Sequence, residues 1–167
     1  MNQNTCCFFG HRKIKITDEL RPNLYNEIKH LITKESIDTF LFGSKSQFDD
    51  LCHEIVSELK EEYHFIKRVY VRAEFPYIDD DYHSYLLESY EETYYPSGML
   101  NAGKLSYIER NYEMINSSKF CIVYFDEDYT PPSNKGKSGT KIAYDYALKK
   151  KKTVINLFNA QLRFSVQ

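Results

Sequence analysis

Short apolar runs alternate with amphipathic stretches over most of the chain. The run TCCFF at 5–9 predicts a buried strand. Over 17–34, Leu20, Leu24, Ile28, Leu31 and Ile32 recur at helical spacing, with Thr17 as a candidate cap and Asp18 and Glu19 in the first turn. TFLF at 39–42 predicts a second strand that ends at Gly43. The next helix opens at Ser46 or Gln47 and turns Phe48, Leu51, Cys52, Ile55, Val56 and Leu59 inward. KRVYV at 67–71 is a third strand, and a helix is expected over 81–92. Leu105, Ile108, Tyr112 and Ile115 form the inner stripe of a further helix. FCIVYF at 120–125 and TVINL at 153–157 predict the remaining strands, with a helix over 140–150 between them.

Strands that read as continuous apolar runs, separated by helices, imply a parallel sheet covered on both faces. Right-handed crossovers then give an α/β, Rossmann-like doubly wound, mostly parallel sheet of about five strands. The pattern predicts a single domain over 1–167, with its core at 5–157 and a short tail at 158–167. In open sheets of this kind, ligands bind outside the carboxyl ends of the strands, so the residues after each strand carry the functional question.

Composition narrows the field only modestly. The chain has 167 residues, with 22 Lys and Arg against 24 Asp and Glu, a formal net charge of −2. That balance, with the acidic segment at 77–95, argues against nucleic acid as a partner. No apolar run reaches the length of a membrane span, and the start MNQNTCCFFGHRK does not read as a signal peptide. The four cysteines, Cys6, Cys7, Cys52 and Cys121, have no C-x-x-C spacing, so buried thiols in a reducing cytoplasm are expected, with no metal site and no cofactor. The segment 77–95 holds six tyrosines among acids, and reads either as a lid that stacks on a base or as an oligomer interface. A homo-oligomer is expected.

The strand ends converge on one chemistry. The first is followed by Gly10-His11-Arg12, the second by Gly43-Ser44-Lys45-Ser46, the third by Arg72-Ala73-Glu74-Phe75, and the fourth by Asp126 and a loop reaching Gly136-Lys137-Ser138-Gly139-Thr140. Glycines let backbone approach an anion, and a helix N-terminus offers unpaired N–H groups and partial positive charge, so phosphate is the natural guest of GKSGT. A loop with a simple Thr cap is the plainer alternative. GSKS repeats the design, or is an ordinary turn with a Ser cap, and Asp49 can orient a ligand hydroxyl or serve the helix start. Arg12 can grip phosphate bidentately, while His11 can bond a ribose or hold its loop. Arg110 and Asn111 share a helix face that can present them to the ligand, or else Arg110 pairs with Glu113 at the surface. Glu74, Glu109 and Asp126 are the candidate general acids or bases, and no signature fixes a role for any of them. Neither a G-x-S-x-G elbow nor an H-E-x-x-H motif is present.

In this order, CCFFGHR, FLFGSKSQFD, RVYVRAEFP, SYIERN, CIVYFDEDY, KSGTKIAYDYALKK and TVINL resemble the YpsA-like branch of the SLOG superfamily over 5–157. FFGHR is close to that branch's F-T-G-H-R, with Phe9 where threonine is usual. The superfamily is Rossmann-like and includes the DNA-processing protein DprA, the LOG phosphoribohydrolases, and sensors of nucleotide-derived ligands, some in conflict systems with phages. The resemblance implies that Gly10, His11, Arg12, Gly43, Ser44, Asp49 and Arg110 line a nucleotide pocket, with Gly139 and Thr140 at the phosphate. The LOG enzymes carry P-G-G-x-G-T-x-x-E, whose glutamate assists glycosidic cleavage. Here Ala143 stands at that position and Lys135-Gly136-Lys137 replaces the leading P-G-G.

Three functions therefore compete. The leading expectation is a nucleotide-binding, sensor-like domain without LOG-type hydrolysis, holding a nucleotide-like small molecule. The second is a phosphoribohydrolase or N-glycosidase-like enzyme that uses Glu74 or Glu109. The third is DprA-like binding of single-stranded DNA.

Overall fold

The structure, a computed structural model, describes residues 4–129 and 138–158. Among these residues the chain forms β1 (Thr5–Gly10), α1 (Leu20–Lys34), β2 (Thr39–Phe42), α2 (Gln47–Lys60), β3 (Lys67–Val71), α3 (Asp80–Leu87), β4 (Glu92–Tyr94), α4 (Lys104–Asn116), β5 (Phe120–Tyr124), α5 (Gly139–Lys149) and β6 (Thr153–Asn156). The strands pair in the order β4-β3-β2-β1-β5-β6, every pair parallel. The chain moves outward from β1 to β4, then returns to place β5 on the other side of β1. The strand order reverses between β1 and β5, the switch point at which doubly wound sheets open a crevice.

Period-2 alternation explains how both faces are covered. Cys6 and Phe8 point to one face with Phe40, Phe42, Ile122 and Tyr124, where α1 and α2 pack Leu24, Ile28, Phe48, Cys52 and Ile55 against them. Cys7 and Phe9 point to the other face with Leu41, Val69, Val71, Cys121 and Val123, under Met114, Ile115, Ala143 and Ala147 of α4 and α5. The adjacent Cys6 and Cys7 thus serve opposite cores, and all four cysteines are buried free thiols. No described helix is long and apolar enough to cross a membrane.

Four expectations are corrected. The sheet has six strands rather than about five, because the polar triplet Glu92–Tyr94 joins the β3 edge as β4. Arg68 anchors it: its guanidinium Nη2 meets Glu91 Oε2 at 2.6 Å, and its carbonyl accepts the Glu91 amide at 2.8 Å. The helix expected over 81–92 consequently stops at Leu87. Third, α1 begins at Leu20, so Thr17 does not cap it, and Asp18 and Glu19 precede its first turn. Finally, α4 buries Ser106, Arg110, Met114 and Ile115, leaving Leu105 exposed.

Candidate functional site

The α4 face explains where the site lies. Ser106, Arg110 and Met114 are four residues apart and form one inward stripe. Arg110 is only 3% exposed, and its stem passes beside Gly43. A Cβ on Gly43 would lie 2.7 Å from the Arg110 side chain and from Met114 Sδ, so the glycine makes room for the arginine. The guanidinium donates from Nη1 to the Gly43 carbonyl and, at 3.5 Å, to that of Val71, and from Nε to Asn111 Oδ1 at 3.0 Å. Arg110 therefore clamps the carboxyl ends of β2 and β3. Burial lowers its pKa, opposed by the facing Asp49.

Asp49 lies beneath the β2–α2 turn rather than in the open cleft. One carboxylate oxygen accepts the amides of Ser44 at 3.0 Å and Gly43 at 3.4 Å, while Ser46 caps α2 by accepting the Asp49 amide at 3.0 Å. Its other oxygen, Oδ1, is buried with no hydrogen-bond partner. Burial lifts the Asp49 carboxyl to about 6, against the pull of those amides and of Arg110. Gly10 is likewise a packing glycine, since a Cβ there would meet the Phe48 ring at 2.6 Å.

His11 is 3% exposed and holds its loop. Its Nε2 accepts the Asp126 amide at 2.9 Å, and its ring stacks on Tyr129 with centroids 4.2 Å apart. Burial lowers its pKa, in keeping with a neutral ring that accepts at Nε2. On the β3 side, Arg72 is nearly buried and donates to the Phe75 carbonyl at 3.1 Å, to Thr93 Oγ1 at 3.0 Å and to the Pro76 carbonyl at 3.5 Å. The turn it holds places Phe75 in the left-handed region at φ 60, with the ring 59% exposed. Beside it, the Tyr107 hydroxyl donates to the Glu74 carboxylate.

These groups surround one cleft of about 960 Å³ at the carboxyl ends of the strands. Gly10, His11, Arg12, Gly43, Ser44, Arg110, Asn111, Ser138, Gly139, Thr140 and Glu74 all line it. Gly136 lies outside the described residues. Glu109 is occupied elsewhere: it accepts the amides of Leu100 at 2.8 Å and Asn101 at 3.2 Å, fixing the loop before α4. Lys104, Tyr70 and Tyr129, which the sequence did not single out, also line the cleft, as does Tyr82 of the tyrosine-rich segment 77–95. Lys104 left a legible signal, because a cation in the first turn of a helix opposes the helix dipole and no acid accompanies it there.

At the far wall, Ser138 caps α5 by accepting the Lys141 amide at 3.1 Å. No acid occupies the α5 first turn, and a Cβ on Gly139 would meet open space. Ala143 is buried against the sheet, so the position at which the LOG motif carries glutamate faces core. Among the described lining residues stand five cations, Arg12, Lys45, Arg72, Lys104 and Arg110, and one carboxylate, Glu74.

No family model matches the sequence. No curated protein matches it either. A solved structure does: DNA processing protein A from Helicobacter pylori, described for its single-stranded DNA binding mode, is similar at a TM-score of 0.58 and 14% identity, over 98% of this chain and 74% of that one. At this identity the likeness is one of fold. The expectation that nucleic acid would not be a partner is corrected here. A protein with this fold binds single-stranded DNA. The whole-chain charge that carried the expectation also conceals a locally basic cleft, because most carboxylates lie away from it.

Proposed function

We propose that the cleft binds single-stranded DNA, taking a backbone phosphate at the α5 N-terminus and adjacent cations while its exposed rings stack on bases. One observation carries the reading: three exposed cations, Arg12, Lys45 and Lys104, and several tyrosines line a single rim, backed by the buried Arg72 and Arg110, in a chain whose net charge is −2. Cations that track a backbone, joined to aromatic platforms, are what non-duplex nucleic acid requires. The fold likeness to a single-stranded DNA-binding protein supports it. We assign the chain to the YpsA-like branch on the same footing, from the FFGHR and KSGT segments.

A second reading is a free nucleotide-derived ligand, favoured by the cleft's volume of about 960 Å³, which suits a small molecule. Fluorescence anisotropy of a labelled oligothymidylate at rising salt tests the first. Affinity should fall linearly on a log–log plot, and Arg12→Ala should lower the slope by about 0.7. Absence of binding at low salt, with a nucleotide retained in native mass spectrometry, would select the second.

A further inference from the structure

Glu74 is out of place in a site that collects phosphate. It is the one carboxylate among five cations on the described lining, and a carboxylate repels the backbone those cations attract. Its neighbours suggest a different task. Phe75 follows it, exposed and held in the left-handed region by the Arg72 contacts to the carbonyls of Phe75 and Pro76. Such a conformation costs a bulky residue free energy, and persists where its surroundings impose it. Tyr107, 41% exposed, reaches the same carboxylate through its hydroxyl. Two accessible rings therefore flank a group that can only accept hydrogen bonds.

We propose that Glu74 reads the base, and that the cleft prefers guanine. The inference rests on the single-stranded DNA reading. A base stacked on Phe75 or Tyr107 turns its edge toward the carboxylate. An unpaired guanine offers two adjacent donors there, N1–H and the N2 amino group, which match the two oxygens of a carboxylate. Adenine and cytosine each present one amino group beside a ring-nitrogen acceptor, and thymine presents one N–H between two carbonyls. Each of those edges sets a lone pair against the carboxylate. The Tyr107 hydroxyl uses one of roughly four acceptor positions on the carboxylate and leaves the others for the base.

The test is anisotropy with short labelled oligothymidylates carrying one central dG, dA, dC or hypoxanthine. The dG strand should bind about tenfold tighter than the all-thymine strand, as for a bidentate base contact. Hypoxanthine, which lacks the N2 amino group, should fall back toward thymine. Glu74→Gln should bring the dG-to-dT ratio close to unity, whereas Tyr107→Phe, which keeps the carboxylate, should retain the preference. Equal binding of all strands overturns the inference and leaves the DNA reading intact. A preference shared by dA and dG, persistence of the preference in Glu74→Gln, or its loss in Tyr107→Phe also overturns it. Failure of every strand to bind overturns the DNA reading itself.

Discussion

The starts of α2 and α5 carry similar sequence, GSKS and GKSGT, yet the structure uses them differently. At α2, the Ser46 cap is joined by Asp49, whose carboxylate already accepts the Gly43 and Ser44 amides. The anion seat is filled from within, and Arg110 faces the buried charge. At α5, Ser138 caps the helix, no acid occupies the first turn, and Gly139 faces open space. One turn is a structural knot; the other leaves its helix start without an acid, where the proposed phosphate would sit. A glycine–serine–lysine motif signals an anion; whether that anion is a ligand or a side chain depends on the acid one turn later.

The largest expected effect lies in the knot. Arg110→Met should destabilise the fold by about 3–5 kcal/mol in urea unfolding, because it strands the Gly43 and Val71 carbonyls and leaves Asp49 without a facing cation. A loss below about 1 kcal/mol would mean that the clamp is dispensable and the two helix starts less different than described.

Next comes the pH response. The Asp49 carboxyl is raised from 3.8 to about 6 by burial, so the folded state holds its proton more tightly than the unfolded chain does. Its contribution to stability is therefore fully present below about pH 4 and is lost as pH rises through 6, a change on the order of 3 kcal/mol. Asp49→Asn should flatten the stability profile over that window. An unchanged profile would show that the carboxylate is not buried as a charge beneath the turn.

The smallest effect separates the two sites most cleanly. Ser46→Ala and Ser138→Ala should each cost about 1 kcal/mol of stability as lost caps. Only Ser138→Ala should also weaken binding of an oligothymidylate, measured by anisotropy. Equal losses of affinity in the two variants would erase the distinction.

Much of the sheet was legible in the sequence. TCCFF, TFLF, KRVYV, FCIVY and TVIN are apolar enough to announce buried strands, and α2 keeps an apolar stripe from Phe48 to Leu59. Two elements were not. β4 is a polar edge triplet held by the Arg68–Glu91 pair, so no hydrophobic period marks it. α4 departs from the rule in its first half, exposing Leu105 and burying Ser106 and Arg110, because that part of its inner face closes the strand ends at the cleft while Met114 and Ile115 cover the core. Most candidate residues at the cleft were readable from their place after a strand, and Arg110 and Asn111 from the shared face of their helix. The roles of Asp49 and Glu109 were not, since both are committed to backbone amides that only the folded turns bring within reach.

On the proposed reading, an anion enters the cleft at the α5 start and not at α2. Amide chemical shifts followed by two-dimensional NMR during titration with a short oligothymidylate test it directly. Large shifts at Arg12, Gly139 and Thr140, with Gly43 and Ser44 little changed, are the predicted result. Shifts confined to Gly43 and Ser44, or to the outer faces of α1 and α3, would contradict it.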